Sequence, residues 1–331
     1  MATTSFMAST VRWVSAACVG LALTLPLQAR AQTYPDRPVR LLHGFAAGGN
    51  ADAVARIVGT ELGKRMGQQF LVEPKPGAGG TIAANAVASA KPDGYTLLLA
   101  TGAHAIADAM YDKLPYDTQK SFQAVSALTA FPFLVVVNAS SPYNTLAELL
   151  QAAKSKSKPV TFGSAGVGTG QHMTGELLAQ RSGVTMTHVP YRGESASITA
   201  VLGGEIDFVV VAPTTAVAHV KGGKLRALAA SGSTRWPGLP DVQTVAEQGV
   251  PKFEVRSWTA LLAPAGTPLS VVDRLNVQLK AVLQDPAVRA RLVEVTGGDV
   301  QASTPAELHA AIEADVKRWS QLVKDAKIQK E

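Results

Sequence analysis

Short apolar runs alternate with amphipathic stretches along most of this chain. VRLLHGF is followed by residues 53–66 with apolar positions at helical spacing, then by QFLVEP, a helix over 81–90 and the strand YTLLLAT. That order predicts a βαβαβ unit. A second series repeats it with PVTFGSA, a helix over 169–181, MTHVPY, a helix over 198–202, IDFVVVA, a helix over 215–220 and LRALAAS. Helix starts carry their own chemistry. Thr145 with Glu148, and Thr304 with Glu307, have capping-box spacing, and Asp285-Pro286 combines a cap with proline at the first helical position. Strand and helix in alternation predict an α/β fold with parallel sheets, whose ligands lie beyond the carboxyl ends of the strands.

Two further runs read as connections between lobes. FPFLVVVN follows a linker-like segment, and VRSWTALLAP is closed by Pro264 and Pro268; three helices over 269–283, 288–295 and 306–326 follow without a strand among them. The chain is therefore expected to leave a first lobe near Phe131, build a second, and return near Trp258 to finish on the first. The lobes are 32–131 with 256–331, and 132–255.

Two glycine-rich loops stand at strand ends: HGFAAGGNAD after the first strand and GSAGVGTGQH after PVTF. Strand, flexible loop and helix N-terminus is the arrangement in which free N–H groups and the helix dipole converge on an anion. Two such loops in two similar lobes suggest one small anion gripped between them.

The N-terminus changes the picture of where this happens. Arg12, an apolar core over 13–25, Pro26 and the A-x-A sequence Ala29-Arg30-Ala31 read as a signal peptide cleaved after Ala31, the mature chain starting at Gln32. The core is too short to span a bilayer. Cys18 lacks a lipoprotein processing motif around it. Cleavage removes 31 residues, the one cysteine, and Arg12 and Arg30, taking the net charge from +6 to +4. Stability must then come from the core alone, which a chain of about 300 residues can supply. The basic stretch Lys154 to Lys158 reads as a solvated helix end, and no nucleic-acid partner is expected.

Taken in order, YPDRPVRLL, FAAGGNADAVAR, VEPKPGAGG, PDGYTLLLAT, HAIADAMYDKLPYD, TFGSAGVGTGQH, VPYRG, GGEIDFVVVAP, GGKLRALAASG, LPDVQTVAEQG, SWTALLAPAGTP and PAELHAAIEADVKRW resemble the tripartite tricarboxylate transporter substrate-binding proteins, the Bug family, over the whole mature chain. The resemblance implies a periplasmic two-lobed binding protein of the Venus flytrap, type II-like kind, with two Rossmann-like lobes joined by two crossover segments. It implies a monomer that presents a small carboxylate to integral-membrane permease subunits, the ligand being held by the loops and ordered water. Carried over residue by residue, the ligand role falls on Phe45, Gly48, Gly49 and Asn50, on Thr101, Gly102 and His104, and on Ser164, Gly168, Thr169, Gly170 and His172. Asp52 recurs in the motif, although helix capping explains it equally, and Tyr191 is a further cleft candidate; Arg192 is open between cleft wall and surface charge. Trp258 reads as hinge packing, and Asp207 opens a strand at the end away from any ligand. The chain departs from common family patterns at His43, Gly44, Asn50, Ala107, Asp108 and Ala260, which bears on ligand identity.

Enzymatic readings find little support. GSAGVGTGQH has Gln171 where a dinucleotide fingerprint needs its third glycine, and it lacks the Lys-Ser/Thr of a P-loop. Ser164 is not in a G-x-S-x-G elbow, and His43, His104 and His172 have no metal-site spacing. No catalytic residue, cofactor or metal is expected. The alternative of another class is a ligand-presenting protein that docks on a two-component sensor kinase.

Overall fold

In the computed structural model, which describes residues 34–155 and 159–330, the first βαβαβ unit forms as the periodicity predicts. The signal peptide, with Arg12, Cys18 and the cleavage site, and the lysine run from Lys156 to Lys158 lie outside the described residues. Val39–His43 (β1) pairs in parallel with Phe70–Pro74 (β2) on one side and with Thr96–Thr101 (β3) on the other. Between them run Asn50–Met66 (α1) and Thr81–Ala88 (α2). Val54, Ala55, Val58 and Leu62 put one stripe of α1 fully out of solvent, and Gly67 ends the helix in the left-handed conformation. Ala103–Met110 (α3) follows β3, a helix that the sequence pattern did not predict.

The chain then differs from the sequence expectation. Phe122–Pro132 is an eleven-residue strand (β4), where a linker was expected, and Leu134–Asn138 (β5) begins after one intervening residue in a different sheet. The apolar signature of β4 is diluted by buried polar residues that find partners inside. Thr129 Oγ1 meets Thr259 Oγ1 at 2.7 Å, and Ser126 Oγ donates to the carbonyls of Ala127 and Ser303.

The second lobe is built from Val160–Ser164 (β6), Met186–Pro190 (β7), Phe208–Val211 (β8) and Leu225–Ala230 (β9). Its helices are Leu146–Ser155 (α4), Gly170–Ser182 (α5), Glu194–Leu202 (α6) and Pro213–Lys221 (α7). α6 thus starts four residues before the expected 198. Arg256–Pro264 (β10) returns to the first sheet, followed by Leu269–Gln284 (α8), Pro286–Thr296 (α9), a two-residue strand Asp299–Val300 (β11) that the sequence did not predict, and Pro305–Asp325 (α10).

Both sheets are mixed, not parallel. The first has the order β11-β4-β10-β3-β1-β2, and the second β7-β6-β8-β5-β9. Each holds four strands that run the same way, the last of them, β4 or β9, set apart by one strand that enters from the other lobe and runs against its neighbours: β10 beside β3 and β4, β5 beside β8 and β9; β11 also runs against β4. These two visiting strands make the fold two-lobed, and from Arg37 onward the chain packs as one unit. Helix starts behave as expected at Thr304, which forms the full capping box with Glu307, and at Asp285, which accepts from Ala287 and Val288. At Thr145 the box is modified, because Glu148 reaches the N–H of Asn144 instead of the cap residue.

Where the chain crosses, the two connections are laced together. Ser231 donates its N–H to the Phe133 carbonyl and its Oγ–H to the Val255 carbonyl, while its Oγ accepts the Phe133 N–H and its carbonyl accepts the Val255 N–H. All three residues are buried. Ser231→Ala keeps the backbone pair but strands the Phe133 N–H, and is expected to lower stability by about 1–3 kcal/mol in urea unfolding. An unchanged urea midpoint would show that the hydroxyl does not bind the crossing together.

Candidate functional site

The first glycine loop hangs from one buried carboxylate. Asp52, in the first turn of α1, accepts the Gly48 N–H at 3.0 Å and Arg56 Nε–H at 2.9 Å, and faces His43 Nε2 at 3.1 Å. Burial pushes the Asp52 carboxyl up, but the donors Arg56, Gly48 and His43 outweigh it and hold the pKa below the ordinary value. His43 is fully buried, and burial lowers its pKa, so it faces Asp52 as a neutral ring with Nε2 as donor, an assignment made from the partners. Asp52 is therefore turned inward. What it leaves at the front is the start of α1, where Gly49 supplies no side-chain cap, and the Asn50 side chain, whose Nδ2 and Oδ1 are both buried without a partner.

The second loop is held by an analogous inner scaffold. Ser164 Oγ accepts the Gly166 N–H at 3.0 Å and meets His188 Nε2 at 2.7 Å. The His172 ring stacks on His188 with centroids 4.0 Å apart, and its Nδ1 receives the Gly168 N–H. Thr169 caps α5, accepting from the His172 N–H and donating to the Gly166 carbonyl. At Gly170 a glycine is required by close approach, since a Cβ there would lie 2.8 Å from the Phe133 ring at the crossing point. Across the gap, a Cβ on Gly79 would come within 3.3 Å of the Val167 carbonyl, so this loop reaches the first lobe.

Between the loops lies a cavity of about 250 Å³ with Phe131 and Phe133 in its wall. It is lined by the starts of five helices: Gly49 to Ala51 at α1, Ala103 at α3, Thr169 to Gln171 at α5, Gly193 to Ser195 at α6, and Thr215 in the first turn of α7. Apart from the Thr169 cap, the residues capping these helices offer no side-chain bond. At α3 Thr101 Oγ1 accepts the Ala103 N–H, and at α7 the Ala212 N–H is bound to Glu194 and Pro213 has none; the N–H groups left free at the other starts, with the helix dipoles, make the space attractive to an anion. Arg192 and Glu194 supply the charged side chains of the wall.

Of the candidate residues, the structure brings Phe45, Gly49, Asn50, Thr101, Thr169 and Gly170 to this cavity. Gly48, Asp52, Gly102, His104, Ser164, Gly168, His172 and Tyr191 are not in its wall, and each has a physical reason. Gly48 and Asp52 bond each other, Gly102 donates to the Trp258 carbonyl, and Ser164, Gly168 and His172 build the inner scaffold of the second loop. His104 is packed edge-on to Phe122, with Nε2–H donating to the Thr118 carbonyl at 2.8 Å. Tyr191 packs with the second-lobe core around Ile198 and Ile206. Arg192 lines the cavity while remaining exposed. Trp258 donates its indole N–H to Asp315 on α10, and Asp207 accepts from Thr161 at the far strand ends.

The sequence reading missed Gln171, Glu194, Phe131, Phe133, Thr215 and Ser257. Glu194 directly follows the VPYRG motif, the signal that could have found it, but an acid in a first helical turn reads as dipole compensation.

Burial of neutral histidines sets a pH dependence. Burial lowers His104 to about 4, and burial with the neighbouring His172 lowers His188 to about 3. In the unfolded chain these rings take up protons near pH 6.5, so below that pH the unfolded state binds more protons and folding stability is lost as pH falls. The loss is up to about 1.4 kcal/mol per pH unit for each ring. Urea unfolding should show a clearly lower midpoint at pH 5 than at pH 7.5; equal midpoints would contradict the burial of neutral rings.

The family described as Tripartite tricarboxylate transporter family receptor matches residues 54–328. A UPF0065 protein of Bordetella bronchiseptica is 38% identical over 284 residues, 86% of this chain and 84% of its own. Among solved structures, the periplasmic binding protein BugD superposes with a TM-score of 0.84 at 34% identity, covering 90% of this chain and all of BugD. MatC from Rhodopseudomonas palustris, with bound malate, gives 0.82 at 34% identity, covering 88% of this chain and 100% of that one. The two-lobed fold is that of a binding protein, and the class is one of solute receptors, not enzymes. The chain belongs to the tripartite tricarboxylate transporter receptor family.

Proposed function

We propose that this protein is exported to the periplasm, captures a small organic acid in the cavity between its lobes and hands it to a membrane permease of the tripartite tricarboxylate type. The observation that carries the reading is the convergence of helix N-termini from both lobes on one cavity. Backbone N–H groups give charge-assisted hydrogen bonds to a carboxylate without a buried counter-ion that would itself need desolvation. The unpartnered Asn50 amide adds a donor and an acceptor at the same place. A relative with bound malate supports the same ligand class. In this reading the lobes are 32–131 with 256–331, and 132–255, and they close on the acid as a monomer. Phe45, Gly49, Asn50, Thr101, Thr169 and Gly170 contact it, and the inward-turned candidates hold the loops in shape.

Export is tested by the mass of the protein recovered from the periplasm. It should start at Gln32; a cytoplasmic chain retaining Met1 would remove the localisation from the proposal.

A thermal-shift panel of mono-, di- and tricarboxylates tests the ligand class. A ligand at 100 times its Kd should add about 2.7 kcal/mol of stability. Gly49→Val has room to fold, since the backbone there is extended and a Cβ would meet nothing nearer than the Ala46 carbonyl at 3.6 Å. It should nevertheless weaken binding of the best acid about 10–100-fold by blocking approach to the amides. Arg192→Ala removes a screened charge and should change affinity less than about fivefold. The reverse ranking in calorimetry would mean an arginine clamp, and stabilisation by a neutral sugar with no response to any acid would overturn the ligand class.

A further inference from the structure

Glu194 is the acidic member of an otherwise anion-attracting wall, and simple carboxylate capture does not use it. It is the first residue of α6, and its Oε1 accepts Gln171 Nε2–H at 2.5 Å from α5 and the Ala212 N–H at 2.9 Å from the turn before α7. The carboxyl is thus fixed in place through Oε1 from two elements, while the nearby Thr215 hydroxyl donates to the Ala212 carbonyl at 2.8 Å. Burial pushes its pKa above the ordinary carboxylate range, against the hydrogen bonds from Ala212, Gln171 and Thr215 that favour the charged form.

The groups around it are few. On α5 there is the Gln171 amide, before α7 the Ala212 N–H and Thr215, and in the loop before α6 the exposed Arg192, which shares the cavity wall. The neighbouring ionisable groups are occupied elsewhere: His172 stacks on His188 with Glu176 at 3.6 Å, and Asp52 is bound to Arg56 and His43. From the first lobe the facing polar side chain at α1 is the neutral Asn50.

An ionised Glu194 would repel the second charge of a dianion, whereas a neutral one can donate to it. The second-lobe side of the cavity otherwise suits a second anion, because the uncapped start of α6 and Arg192 lie there. Phe131 and Phe133 offer apolar surface to a short aliphatic spacer between two charges. We propose that Glu194 is a specificity-determining residue that, as a neutral acid, donates its Oε2–H to the second carboxylate of a dicarboxylate, so that one proton enters from solvent with each ligand bound. No covalent bond changes; the proton goes from water to Oε2 and stays there while the cleft is filled. The proposal rests on the carboxylate-receptor reading above.

Isothermal calorimetry with malate and adipate, in buffers of different ionisation heat, counts the protons directly. Between about pH 8 and pH 6.5, where both acids are fully ionised, the wild-type protein should take up about one proton per ligand and gain up to about tenfold in affinity per pH unit of acidification. Glu194→Gln keeps the shape without the titrating proton, so uptake should vanish and affinity should become flat with pH. Glu194→Asp, which retains the titrating group, should keep uptake with weaker binding, and melting curves check that each variant is folded. Zero uptake by wild type, or uptake that survives in Glu194→Gln, would overturn the proposal. Binding of monocarboxylates alone overturns it too while leaving the receptor reading intact, whereas failure of every carboxylate to bind brings down the receptor reading itself.

Discussion

A carboxylate loses its water when a cleft closes over it, and that loss is tolerable only where donors already fixed in direction replace the water. This constraint fits a cavity walled chiefly by helix starts, with Arg192 as the cationic side chain of its wall. Five helices begin there, each after a strand-loop turn in which chain geometry sets the direction of the N–H groups. The loops need glycine in front, for close approach, and firm anchoring behind. Asp52 does the anchoring in the first lobe, and the Ser164, His188 and His172 group does it in the second. His104 and His188 serve as neutral struts, and the same burial ties the stability of the fold to pH.

Two lobes can present these starts to a common gap only if the crossing chain is itself well held. Exchange of β5 and β10 between the sheets, with Ser231 joining Phe133 and Val255, puts the crossing directly under the cavity. Gly170 presses against Phe133 at that point, so the first turn of α5 and the crossing strand are in contact. Movement of one lobe against the other would therefore be felt at the amides that line the cavity.

The alternating pattern was enough to read the α/β class, most of the helices, the two strand-loop-helix turns and the capping at Thr304 and Asp285. It was blind to β4, whose buried Ser126 and Thr129 look like solvent-facing positions until their partners on other segments are known. It missed the antiparallel strands because direction depends on which lobe a strand comes from, not on its composition. The side chains chosen for the site divide for a similar reason. Gly49, Gly170 and Asn50 line the cavity where the loops themselves place them, whereas Asp52, His104 and His172 have suitable chemistry but are claimed by Gly48, Thr118 and Gly168. Glu194 escaped because its role depends on Gln171 and Ala212, neither of which is its neighbour in sequence.

A crystal structure of the protein with malate bound tests the central claim most directly. The account predicts carboxylate oxygens within about 3 Å of the N–H groups at the starts of α1 and α5, with the Asn50 amide engaged. A carboxylate paired instead with the Arg192 guanidinium, with the loop amides left to water, would contradict it.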